Sequence, residues 1–251
     1  MAHWRAALVV LQCVALLALV GWGTAVWASF ANTRPEATNY ARVEVIPEPA
    51  ALPEPTVQAP VIARPVSISA RIDPAWLDTV SSRTGIPRTA LAAYAGAASA
   101  LAEQSPGCHL GWNTLAAIGH IESDDGRHGG AVLSDNGYSS VPIIGPKLDG
   151  GAFAGIHDSD GGVWDGDTVW DHAVGPFQFL PQTWRIWGAD GNGDGQADPN
   201  QMDDAALAAA RYLCHAGDLS TVDGWRRAVL SYNHSESYVD DVAKVANSYH
   251  F

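Results

Sequence analysis

The sequence predicts a mainly α-helical domain with one long irregular face, joined by a proline-rich linker to an apolar N-terminal segment. Three observations predict it. From Asp73 onward, Ala- and Leu-rich stretches recur with helix start and stop residues at their ends. Strand signals are nearly absent, with Ala131-Val-Leu133 and Val141-Pro-Ile-Ile144 the two candidates. Residues 123–172 are rich in Gly, Asp and Ser with little periodicity, and a loop of that length is either functional or an insertion. With 251 residues, 47% of them hydrophobic, the chain can bury one substantial core beside accessory segments.

Residues 1–5 precede an uncharged run of 28 residues between Arg5 and Arg34. Since about 20 apolar residues span a bilayer, residues 6–31 read as a transmembrane anchor with Trp22 and Trp27 at its interfacial end. A cleaved signal peptide, cut near Ala28 or Ala31, is the competing reading. Either reading exports the rest of the chain, and under the first His3 and Arg5 stay in the cytoplasm. Residues 32–70 hold seven prolines from Pro35 to Pro65 and read as an extended spacer. The folded domain then occupies 71–251.

Its helices are legible from their punctuation. Asp73-Pro74 is an N-cap followed by proline at the first helical position, and Gly85 ends that helix. Pro87 precedes Arg88 to Gln104, and Trp112 to Glu122 follows. Beyond the irregular stretch come Pro181 to Ala189, Asp203 to His215, Val222 to Tyr232 and Ser235 to Tyr249. Cys13 lies in the apolar run, which leaves Cys108 and Cys214 as the pair outside the membrane. In an oxidising compartment two such cysteines usually bridge; two buried free thiols are the alternative.

Residues 71–251 carry 10 basic and 23 acidic side chains, so this domain should repel nucleic acid and anionic lipid surfaces. Only three of those acids are glutamates: Glu103, Glu122 and Glu236. Glu122 closes an apolar helix and is followed at once by Asp-Asp-Gly-Arg-His-Gly-Gly130. A carboxylate at the end of a buried helix is costly to ionise, which raises its pKa towards the range of a general acid. A solvated helix-terminal Glu is the plainer reading of the segment alone.

Asp190-Gly-Asn-Gly-Asp-Gly-Gln-Ala-Asp198 has the spacing of an EF-hand-type calcium loop. Asp190, Asn192 and Asp194 supply oxygen at positions 1, 3 and 5, Gln196 a backbone carbonyl, and Asp198 position 9. The bidentate Glu of position 12 is replaced by Gln201, so Asp203 or Asp204 would have to supply the missing carboxylate to bound Ca2+. The second acidic loop, Asp158 to Asp167, lacks the full alternation and reads equally as a cation site or a polar loop. In Gly175-Pro-Phe-Gln-Phe-Leu-Pro-Gln-Thr-Trp184, the aromatics suit core packing or sugar stacking. Gln178 between two of them is the functional candidate, and Tyr232-Asn233 ends a late helix facing a possible cleft.

The ordered set of Glu122-Ser123, Gly175-Pro-Phe-Gln-Phe179, Asp190 to Asp198 and Tyr232-Asn233 resembles the lytic transglycosylases that cleave bacterial peptidoglycan, with the membrane-bound B-type family the nearest in pattern. The resemblance covers roughly residues 73–250. It implies a lysozyme-like catalytic domain, Glu122 as the catalytic acid, and Ser123 and Gln178 near the cleaved sugar. It also implies that Tyr232 positions the Glu and that Asn233 is a saccharide contact. The partners implied are glycan strands outside the cytoplasm, with no nucleic acid. A lysozyme-type hydrolase and a non-catalytic, calcium-stabilised wall-binding module are the rival readings.

Overall fold

The computed structural model describes residues 66–151 and 154–249; the expected anchor at 6–31 and the linker up to 65 lie outside the described residues. Among the described residues there are seven α-helices: α1 Pro74–Thr84, α2 Arg88–Gln104, α3 Trp112–Ser123, α4 Pro181–Trp187, α5 Met202–Cys214, α6 Val222–Tyr232 and α7 Glu236–Ser248. Short 3-10 turns occur at Ile68–Arg71 and His128–Gly130. Among the described residues no helix is long and apolar enough to cross a membrane.

The caps expected from sequence form. The Asp73 carboxylate accepts from the amides of Ala75 and Trp76, and Gly85 closes α1 in the left-handed conformation (φ 75°). Ser235 caps α7 through the amide of Tyr238. α2 is the central helix, with every residue from Ala90 to Leu101 buried. Its alanines and Gly96 let neighbours approach closely; a Cβ at Gly96 would press on the backbone of Ile68 and Ser69. The alanine-rich face of α5 packs on one side of α2, α3 on another, and α7 covers α3. Cys108 and Cys214 form a disulfide, Cα atoms 5.3 Å apart, tying the entry of α3 to the end of α5.

The two strand candidates contribute isolated bridges and no strand. Leu133 pairs with Ser139, and Ile144 with Val174, which also pairs with Phe179. Residues 143–174 fold back on themselves through backbone bonds such as Gly145 N–H to Ala173 O (2.8 Å) and Asp158 N–H to Val169 O (3.0 Å). This irregular lobe stands directly before the Gly175–Gln178 turn.

Candidate active site

Glu122 lies in the last turn of α3, whose residues from Trp112 to Gly119 are all buried. The helix stops because Asp124 takes a left-handed conformation (φ 51°) and its amide turns back to the carbonyls of Gly119 and His120. Asp125 (φ 57°) and Gly126 (φ 83°) continue in that region and turn the chain away. The Glu122 carboxylate is half-buried and accepts a 2.6 Å hydrogen bond from the Tyr238 hydroxyl on α7. Burial raises its pKa above the ordinary carboxylate value, and the Tyr238 bond acts in the opposite direction. Among the described residues no second carboxylate contributes to that shift. The nearest acids in sequence are engaged elsewhere: Asp124 bonds Arg127 (2.9 Å) and Asp125 accepts from the Tyr94 hydroxyl (3.1 Å).

Ser123 is buried, and its hydroxyl donates to the Pro176 carbonyl (2.7 Å) while accepting from the Gly126 amide (2.9 Å). It therefore clamps the end of α3 to the Gly175–Gln178 turn. Gly175 has φ 74°, and a Cβ there would collide with the Pro199 carbonyl, so this turn needs glycine. Gln178 is also left-handed (φ 49°), and its amide folds back onto the carbonyls of Gly175 (3.0 Å) and Ile143 (3.4 Å). Phe177 and Phe179 are core residues, packed edge-on against Tyr94 and Tyr232 respectively.

Tyr232 sits near Glu122, and the Glu122 charge helps to raise its pKa, behind the larger effect of burial. Its hydroxyl, however, donates to the Phe177 carbonyl (2.7 Å). The hydroxyl that reaches Glu122 is Tyr238's, six residues later. Tyr232 holds the turn, and Tyr238 holds the acid. Asn233 is exposed at the C-terminal end of α6. The sequence did contain a signal for Tyr238: an aromatic with a polar tip at the start of the apolar stripe Tyr238, Val242, Ala246, Tyr249.

The loop from Asp190 to Asp198 is organised by its own side chains. Asp190 accepts from the amides of Gly193 (2.7 Å) and Gly195 (2.8 Å), Asn192 Oδ1 from Asp194, and Asp194 from Gln196. The carboxylate that enters it from α5 is Asp204's, accepting from the amides of Gly191 (2.7 Å), Asn192 (3.0 Å) and Asp198 (2.9 Å). Burial pushes the Asp204 carboxyl up to about 6. Asp203, one residue earlier, faces another way and takes the hydroxyls of Ser67 (2.7 Å) and Ser69 (2.6 Å). The Gln201 side chain is engaged at the start of α5. Its Oε1 caps α5 at the Asp204 amide (2.9 Å), and its Nε2 donates to Asn136 O (3.1 Å). In the second acidic loop, Asp158 accepts three backbone amides and Asp171 both groups of Ser159.

Residues 164–229 match the family model of the transglycosylase SLT domain. This stretch of the chain is similar to transglycosylase SLT domains. The matched stretch holds the Gly175–Gln178 turn, the Asp190–Asp198 loop and α5, while Glu122 and Tyr238 lie on either side of it in sequence. A solved structure of SltB3 from Pseudomonas aeruginosa, in complex with NAG-anhNAM-pentapeptide, is similar at 17% identity and a TM-score of 0.42, over 78% of this chain and 68% of that one. No curated protein matches the chain.

If Tyr238 positions Glu122 for proton transfer, Tyr238→Phe removes the hydroxyl that donates to that carboxylate without altering its packing greatly. A hydrogen bond to a charged group is worth ~1.5–3 kcal/mol, so kcat should fall by about tenfold or more. The sign of the accompanying pH effect follows from the bond. It favours the ionised carboxylate, so its loss raises the Glu122 pKa further. A group that must be protonated to act then keeps its proton to higher pH, and the alkaline limb of the profile moves up. A purely structural role for Tyr238 would leave that limb where it is.

Proposed function

We propose that this protein is a lytic transglycosylase that cleaves the β-1,4 bond between N-acetylmuramic acid and N-acetylglucosamine in peptidoglycan, leaving 1,6-anhydro ends. The reading is carried by one observation: a half-buried glutamate with a raised pKa, held by a tyrosine hydroxyl and with no carboxylate partner among the described residues. Hydrolases of the ordinary kind use two carboxylates, one as acid and one as nucleophile or base. Here protonated Glu122 donates to the glycosidic oxygen as the C1–O bond breaks. The substrate's own acetamido group stabilises the cationic centre. The resulting Glu122 carboxylate then takes the proton of the C6 hydroxyl as its oxygen closes on C1, and no water is consumed. Masses of the released fragments test this: anhydro ends support it, and reducing ends one water heavier identify a lysozyme-type hydrolase instead. A protein that sediments with peptidoglycan and releases nothing would be the wall-binding module.

Action outside the cytoplasm fits this substrate and the Cys108–Cys214 bond, since disulfides persist in oxidising compartments. Residues 6–31 would hold the domain at the membrane, with 32–70 as spacer. We further propose that the Asp190–Asp198 loop binds Ca2+. Its donors are hard oxygens, and Asp204 brings into the loop the carboxylate that position 12 lacks. A ligand at about 100 times its Kd stabilises by ~2.7 kcal/mol, and a domain of this size shifts by roughly 2–4 °C per kcal/mol. EDTA should therefore lower Tm by about 5–10 °C, with recovery on adding calcium. An unchanged transition would remove calcium from this loop.

A further inference from the structure

Two residues before Glu122, and two and three after it, the chain places a cluster that the proposed reaction does not use. His120 Nδ1 lies 3.5 Å from Asp124 Oδ1 and 3.6 Å from Asp125 Oδ2, and the three ligand atoms fall within 4.8 Å of one another. These separations are too long for good hydrogen bonds. They are close to the spacing of atoms that share one small ion, because two ligands about 2.0–2.1 Å from a tetrahedral metal stand about 3.3–3.5 Å apart. The same two carboxylate oxygens already meet a cation: Arg127 Nη2 lies 2.9 Å from Asp124 Oδ1 and 3.4 Å from Asp125 Oδ2. Positive charge is thus called for at this point, and an imidazole nitrogen faces it.

The surroundings fit a site with an entrance. The Asp125 side chain is 2% exposed, fixed from below by Tyr94, whereas those of His120 and Asp124 are 44% and 51% exposed. One ligand is anchored in the core and two can adjust from the surface. The three left-handed residues Asp124, Asp125 and Gly126 bring both carboxylates round to the His120 side of α3. Successive helical residues are rotated by about 100°, so Glu122, two positions from His120, lies on the opposite face. The cluster is separate from the catalytic carboxylate.

We propose that His120, Asp124 and Asp125 form a binding site for a divalent transition metal of the zinc type, for which Arg127 is the built-in competitor. The imidazole selects such an ion over calcium and magnesium, which prefer oxygen ligands. Solvent supplies the remaining coordination. Arg127 offsets one of the two carboxylate charges when no metal is there and must swing aside when one enters, which its half-exposed position permits.

Zinc titration of the full-length protein by calorimetry, in excess calcium to fill hard-oxygen sites, tests this. His120→Ala should weaken one zinc site by more than about tenfold, and Asp124→Asn should weaken the same site. Arg127→Gln should tighten it severalfold, because the competing cation is gone. X-ray absorption should show one imidazole nitrogen with oxygen ligands. Zinc binding that is indifferent to His120→Ala overturns the proposal. So does weaker binding in an Arg127→Gln protein whose melting curve shows it folded. In either case the cluster is an ion-pair cap on α3. Because none of these variants alters Glu122 or Tyr238, fragment release from peptidoglycan reports separately on the catalytic reading.

Discussion

Glu122→Gln should abolish detectable fragment release from purified peptidoglycan, with a loss of at least about 100-fold and up to about 10,000-fold, the range general acid–base catalysis contributes. The expectation is at the upper end because one residue is assigned both proton transfers. Gln keeps the shape of the side chain and can still accept from the Tyr238 hydroxyl, so the lesion is confined to the proton. It also removes a carboxylate that is costly to bury, so the variant should melt no lower than the wild type. Binding to insoluble peptidoglycan should persist, which separates lost chemistry from lost recognition. In the wild type, the acid must be protonated to act, and burial raises its pKa. Activity should therefore fall as pH rises through a value above the ordinary carboxylate range. Undiminished release of anhydro-muropeptides by Glu122→Gln would end the assignment.

The helices could be read because their signals are local. Asp73-Pro74, Gly85 and Ser235 act on amides and carbonyls within a few residues, and each forms the cap its type predicts. Glu122 was legible for the same reason, as an acid between an apolar helix and a glycine-rich turn. What escaped the sequence depends on helix rotation and on distance along the chain. Asp203 and Asp204 are adjacent and chemically identical, yet one faces the serines before α1 and the other the acidic loop. Only the rotation of α5, fixed by packing its alanine face on α2, decides between them. Tyr238 reaches Glu122 across 116 residues because α7 lies on α3, whereas Tyr232, the closer match to a motif, is spent on the turn. Ser123 likewise follows Glu122 as the motif requires, but its burial makes it a clamp between α3 and Pro176. The residue types marked the candidate site, and the packing decided which of them meet.

The largest stability effect is expected from the Cys108–Cys214 bond. Its two ends are 106 residues apart, and the loop it closes contains α3 with Glu122, the irregular lobe, the Gly175–Gln178 turn and the Asp190–Asp198 loop. In the chain-entropy description, closing about 100 residues stabilises by ~4.7 kcal/mol at 25 °C, and measured bonds of this kind give roughly 2–5 kcal/mol. At roughly 2–4 °C per kcal/mol, Cys108→Ala/Cys214→Ala should melt about 5–20 °C below the oxidised wild type. Reductant should lower the wild type by a similar amount and leave the double variant unmoved. That second arm isolates the bond from the small loss of packing at Cys108, which is 4% exposed. Neither cysteine touches Glu122 or Tyr238, and the Cys108 carbonyl remains tied to the Leu219 amide (2.8 Å). Activity well below the new transition should therefore be retained, since the bond acts chiefly on the unfolded chain. A double variant that melts with the wild type would mean that the helices around α2 hold the loop closed without the covalent link.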